Sequence, residues 1–186
     1  MVTEPGWAQL LGTWQDLDVP EGWHAEIVGE FITLVPPPGF AHNKIADRIH
    51  RALVRATPDD WGIYQTQGVS IPGLAKLYIP DLVVVQDPDS IEAIDNSAIP
   101  ADCVLLVAEV TSKSNADSDR TDKVAGYAAG PVPFYLLIDR FDEAGPAVTL
   151  YSEPEGGHYQ HSVRGKFGEP VELPEPLGLT LETADF

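Results

Sequence analysis

Residues 78–85 read YIPDLVVV, and residues 103–111 read CVLLVAEVT. Each contains a continuous apolar run, the pattern of a strand buried on both faces of a sheet. Asp81 opens the first run, directly after Pro80, and Glu109 comes near the end of the second. If the two strands pair antiparallel, the start of one lies beside the end of the other, and the carboxylates meet at one edge of the sheet. Carboxylates held together repel each other and call for a cation. Mg²⁺ (or Mn²⁺) suits such a pair, because Mg²⁺ takes oxygen ligands, uses one or two carboxylates and keeps several waters. The plain alternative is that each acid ends its strand and faces water.

The flanking sequence supplies the rest of a domain. Trp7, Leu10, Leu11 and Trp14 suggest a short amphipathic helix within an otherwise irregular residues 1–22. Residues 23–35 read as two short strands turning at Val28-Gly29, stopped by Pro36-Pro37-Pro38-Gly39. From about His42 to Ala56 the period is helical, with Ile45, Ile49, Ala52, Leu53 and Ala56 on one stripe. Lys44, Arg48, Arg51 and Arg55 form an adjacent basic stripe. Residues 61–71 read as one strand, and YIPDLVVVQ as another. A second helix lies between Ser112 and Gly130-Pro131, with Asp117 or Ser118 as its cap. VPFYLLID is a strand, PAVTLYSE and HYQHSVRG a hairpin, and the acidic, proline-rich tail from Glu169 reads as irregular. No linker or repeat divides the chain, so residues 1–186 are expected to form one domain. Its class is α/β (α+β), with helices flanking a central mixed sheet.

Composition narrows the function. The chain has 11 Lys plus Arg against 29 Asp plus Glu, a formal net charge of −18. Its long-range field repels phosphate, so binding to nucleic acid needs a local basic patch or bound metal. The absence of a secretory signal pattern, of a long apolar run and of paired cysteines points to a soluble cytoplasmic protein. Cys103 reads as a buried small hydrophobe. His24, His42, His50, His158 and His161 show no metal-ligand spacing, and there is no phosphate-binding glycine loop.

The order of these pieces resembles the PD-(D/E)XK nuclease superfamily, and within it the Uma-type restriction endonuclease family. HAEIVGEFITLVPPPGFAHNKIADRI, YIPDLVVV, VLLVAEVTSKS, DSDRTDKVAGYAAGPVPFYLLID and AVTLY carry the likeness. The resemblance implies a restriction-endonuclease-like core and Mg²⁺-dependent hydrolysis of DNA phosphodiesters, with a homodimer as the simplest way to cut both strands. It makes Asp81 and Glu109 metal ligands, joined by the Val110 carbonyl and, through water, by Glu26. The usual lysine position, two after Glu109, holds Thr111 instead. The resemblance places the catalytic lysine at Lys123 on the following helix, with Lys113 as competitor. His42 and Gln67 are possible accessory residues, and the basic stripe is the candidate nucleic-acid contact. Tyr127, one turn after Lys123, reads as packing. The competing function is a nuclease-like module that binds nucleic acid or protein without cutting.

Overall fold

A computed structural model describes residues 4–91 and 98–186; residues 1–3 of the N-terminal stretch lie outside the described residues. Helix α1 (Glu4–Gln15) leads into the hairpin of β1 (His24–Val28) and β2 (Phe31–Val35), turned at Gly29 with φ +64°. The long amphipathic helix α2 (Phe40–Ala56) follows, and its buried face carries His42, Ile45, Ala46, Ile49 and Leu53. It stops at Thr57, because the residue before Pro58 is pushed out of helical conformation. Then come β3 (Gly62–Tyr64), β4 (Gly68–Ile71), β5 (Lys76–Tyr78), β6 (Leu82–Val85), β7 (Ala98–Pro100) and β8 (Leu106–Val110). Helices α3 (Ala116–Arg120) and α4 (Asp122–Ala129) precede β9 (Phe134–Asp139), β10 (Ala147–Glu155), β11 (His158–Lys166), β12 (Val171–Leu173) and β13 (Leu179–Leu181).

Among the described residues the strands form three sheets. One has the order β2-β1-β5-β4-β7, the second β11-β10-β9-β8-β6-β3, and the third pairs β12 with β13. The second is the expected central mixed sheet: β8 and β9 run parallel and its other pairs are antiparallel. Its middle strands β6 and β8 are fully buried, which is why they read as unbroken apolar runs. Helix α2 and the β12–β13 hairpin pack on it through Ile49, Leu53, Leu173 and Leu181. Trp7, Leu10, Leu11 and Trp14 of α1 cover Ile27 and Leu77 of the first sheet as the amphipathic pattern requires.

Several expected elements are divided. Residues 61–71 are two strands in different sheets, separated at Thr66, whose φ of +55° turns the chain. YIPDLVVVQ is also split, with β5 in the first sheet and β6 in the second. Pro80 has no N–H to give to a ladder, so the crossing falls at Ile79-Pro80-Asp81. The helix after Ser112 breaks at Thr121 (φ −125°, ψ −72°), and Asn115, not Asp117 or Ser118, is at its N-cap. The tail is not irregular: Val171, Leu173, Leu177 and Leu181 bury themselves in the core. Cys103 is exposed, because the chain makes a short 3₁₀ turn over Ala101–Cys103 and β8 begins only at Leu106. Among the described residues no helix is long and apolar enough to cross a membrane.

Candidate active site

Asp81 and Glu109 meet as antiparallel pairing requires. The β6–β8 register sets Leu82 opposite Ala108, so Asp81 and Glu109 take the next position along. Asp81 Oδ2 accepts the Val110 N–H at 2.8 Å, which fixes the main chain just past Glu109. His42, from the first turn of α2, puts Nε2 3.1 Å from the same oxygen. Burial opposes protonation of this imidazole, but the hydrogen bond and charge of Asp81 prevail, and its pKa sits above the ordinary value. His42 is therefore more than a helix-entry residue.

Lys123 is almost fully buried on α4. Its Nζ lies 2.8 Å from Glu109 Oε1, 3.2 Å from Asp119 Oδ1 and 3.3 Å from Glu26 Oε1. Glu26 is buried on β1 and also accepts the Ile79 N–H at 2.9 Å, so it ties the first sheet to the crossing before Asp81. The Tyr127 hydroxyl donates to Glu109 Oε1 at 3.2 Å. Tyr127 thus packs, as expected, and also holds the site. It belongs to a tyrosine ladder of Tyr78, Tyr127, Tyr135, Tyr151 and Tyr159, with successive ring centroids 5.2 to 5.9 Å apart. Gly126 makes room for this ladder, since a Cβ there would stand 2.9 Å from the Tyr78 ring.

The electrostatics follow from burial. Burial works against charge on Lys123, but Glu109, Glu26 and Asp119 overcome it and hold the ammonium pKa well above its usual value. Burial drives the Glu109 carboxyl well above the usual range; Lys123 opposes the rise, and Asp119, Asp81 and Glu26 add to it. Asp119 is pushed up to about 6, again by burial against the pull of Lys123. Its oxygens are buried without an aligned hydrogen-bond partner.

Among the described residues, then, three carboxylates share the Lys123 ammonium, and Asp81 stands beside them with His42. Such a cluster holds protons or takes up another cation. The bonds above use Asp81 Oδ2 and Glu109 Oε1, and each of these carboxylates keeps a second oxygen. Among the described residues no three His, Cys, Asp or Glu side chains gather with ligating geometry. The donor set is thus a hard carboxylate pair whose remaining ligands would be water and main-chain oxygen, which fits Mg²⁺. A cleft of about 230 Å³ opens onto Asp81, Glu109, Glu26, His42 and Lys123, with Pro36-Pro37-Pro38, Ser112 and Asn115 on its walls.

Other candidate residues lie elsewhere. Lys113 is exposed and does not line this cleft, so the buried lysine among the acids is Lys123. The Thr111 hydroxyl donates to Asp139 Oδ1 at 3.3 Å and accepts the Arg140 N–H at 3.0 Å. Gln67 spends its amide on the Gly68 carbonyl at 3.1 Å. In the basic stripe, Arg51 binds Asp47 at 2.9 Å and Arg48 lies 3.5 Å from Asp185. Asp119 is the site residue that sequence reading missed. Its only signal is the four-residue spacing to Lys123, in a segment crowded with other acids.

The fold places the chain among nuclease-like α+β proteins. A crystal structure described as "a putative nuclease belonging to DUF820 from Anabaena variabilis ATCC 29413" superposes with a TM-score of 0.70 at 17% identity, covering 95% of this chain and 96% of the other. No curated protein matches the chain. The family model Uma2, described as "Putative restriction endonuclease", matches residues 11–184. The chain belongs to this family.

Proposed function

We propose that the protein is a Mg²⁺- or Mn²⁺-dependent endonuclease that hydrolyses DNA phosphodiester bonds. One observation carries the reading: Asp81 and Glu109 side by side at the ends of β6 and β8, with the Lys123 ammonium 2.8 Å from Glu109, all facing one cleft. Family membership and the nuclease-like fold support it. Asp81, Glu109 and the Val110 carbonyl would hold the metal, with Glu26 reaching it through water. When bound, the metal supplies charge neutralisation at the phosphate and lowers the pKa of a water. Lys123 then orients the attacking water or offsets charge developing on the phosphate. His42 holds Asp81 in place, and Tyr127 and Lys123 hold Glu109. No serine or cysteine nucleophile is needed. Cutting both strands of a duplex calls for two such sites, which a homodimer supplies most simply.

The net charge of −18 favours a second reading, a nuclease-like module that binds without cutting. Plasmid cleavage decides between them. Wild type should nick or linearise DNA in Mg²⁺ or Mn²⁺, stop in EDTA, and lose activity in Asp81→Asn. Intact plasmid under every metal condition would leave the binding module.

A further inference from the structure

We infer that a second cleft, formed by Lys44 and Arg140, holds a backbone phosphate of the nucleic acid beside the one being cut. This rests on the nuclease reading of the neighbouring acidic site. The cleft has a volume of about 290 Å³, and its floor is apolar, with Ile45, Phe141 and Phe167. Lys44 stands on the same first turns of α2 as His42, and Arg140 directly follows β9. The Arg140 N–H is bonded to Thr111 just past Glu109, which pins this arginine to the end of β8. Both cations thus line one cleft beside the end of β9. The Arg140 charge is also felt at His42, the partner of Asp81.

Position in one cleft, together with the lack of a carboxylate partner, marks these two residues. The carboxylates around this end of the molecule are engaged by other cations: Asp139 by Arg120 at 2.7 Å, Asp142 by Arg164 at 2.7 Å, and Asp185 by Arg48 at 3.5 Å. Among the described residues neither Lys44 nor Arg140 has a carboxylate within ion-pair distance; Arg140 lies only over the Phe141 ring, 5.2 Å from its centroid. Among the described residues Arg55, Lys76, Lys113 and Lys166 also lack an ion-pair partner, but Lys44 and Arg140 line the same cleft. They make a local anion site that the long-range field does not. The rest of the basic stripe is less suited. Arg48 and Arg51 are tied to Asp185 and Asp47, and Arg55 lies about 16 Å further along the helix.

The test is binding of a fluorescein-labelled DNA duplex by anisotropy, in Ca²⁺ and over a salt series. The double variant Lys44→Gln with Arg140→Gln should bind on the order of 60-fold more weakly at about 0.1 M salt, with a salt slope smaller by about two. Arg48→Gln with Arg51→Gln should bind as wild type does. Arg140→Lys, which keeps the charge, should retain most of the affinity and thereby exclude a folding defect. Equal binding by wild type and the Lys44/Arg140 variant overturns the inference. So does a loss confined to the Arg48/Arg51 variant, or a wild type that binds no duplex. Failure of the nuclease reading shows separately, as wild type that binds DNA yet cuts none in Mg²⁺.

Discussion

Replacing Lys123 with Met tests the charge logic of the site directly. Methionine keeps the length of the stem and removes the ammonium. Glu109, Asp119 and Glu26 would then share a buried space with no fixed cation; their side chains are only 3%, 0% and 10% exposed. Removing one partner of a buried ion pair costs about 3–5 kcal/mol, because the other charge stays behind. For a domain of this size that is a fall in Tm of about 6–20 °C. The loss should depend on pH. Folding already raises the carboxyl pKa values of Glu109 and Asp119, and losing Lys123 raises them further. A carboxyl with a raised folded pKa binds more protons folded than unfolded, so stability returns as pH falls. The gap between wild type and Lys123→Met, measured by thermal unfolding without metal, should therefore be widest near pH 8 and shrink towards about pH 5. A gap that is the same at both pH values would refute the argument and make Lys123 a packing residue. A gap below about 1 kcal/mol would refute it as well.

The other predictions follow from the same contacts. Mg²⁺ or Mn²⁺ should raise the Tm of wild type; Asp81→Asn and Glu109→Gln should be no less stable without metal but lose that rise, and equal shifts in all three would remove the site. In plasmid assays Lys123→Ala should abolish cleavage, whereas exposed Lys113→Ala should leave it intact; the reverse result would reassign the lysine. Asp139 receives both arms of the Arg120 guanidinium at 2.7 and 2.9 Å, and these bonds outweigh burial to hold its carboxyl below the usual range. Its contribution is therefore present at neutral pH and lost as pH falls through the lowered folded value. Asp139→Asn should cost about 2 kcal/mol at pH 7 and much less in acid, as denaturant unfolding at the two pH values would show.

The sequence by itself determined the pairs that matter most along single strands. Unbroken apolar runs mark β6 and β8 as central strands, and antiparallel pairing then brings Asp81 to Glu109, since register follows from where each run starts and stops. It also determined the two faces of α2, because a 3.6-residue period is local information. Whether a strand crosses between sheets is not local. The breaks at Thr66 and Pro80 send halves of two apparent strands into different sheets, and periodicity records which face is apolar, not which neighbour covers it. The tail looked irregular because its apolar residues are few and spaced by prolines; only the core they fill shows why Leu173 and Leu181 are there. Lys123 was reached through family likeness. That it is clasped by Glu109, Asp119 and Glu26 was decided by tertiary structure alone. Glu26 stands 97 residues before Lys123. Two such charges are drawn together, and the lysine's pKa displaced, only when the folded chain has excluded the water that would otherwise screen them.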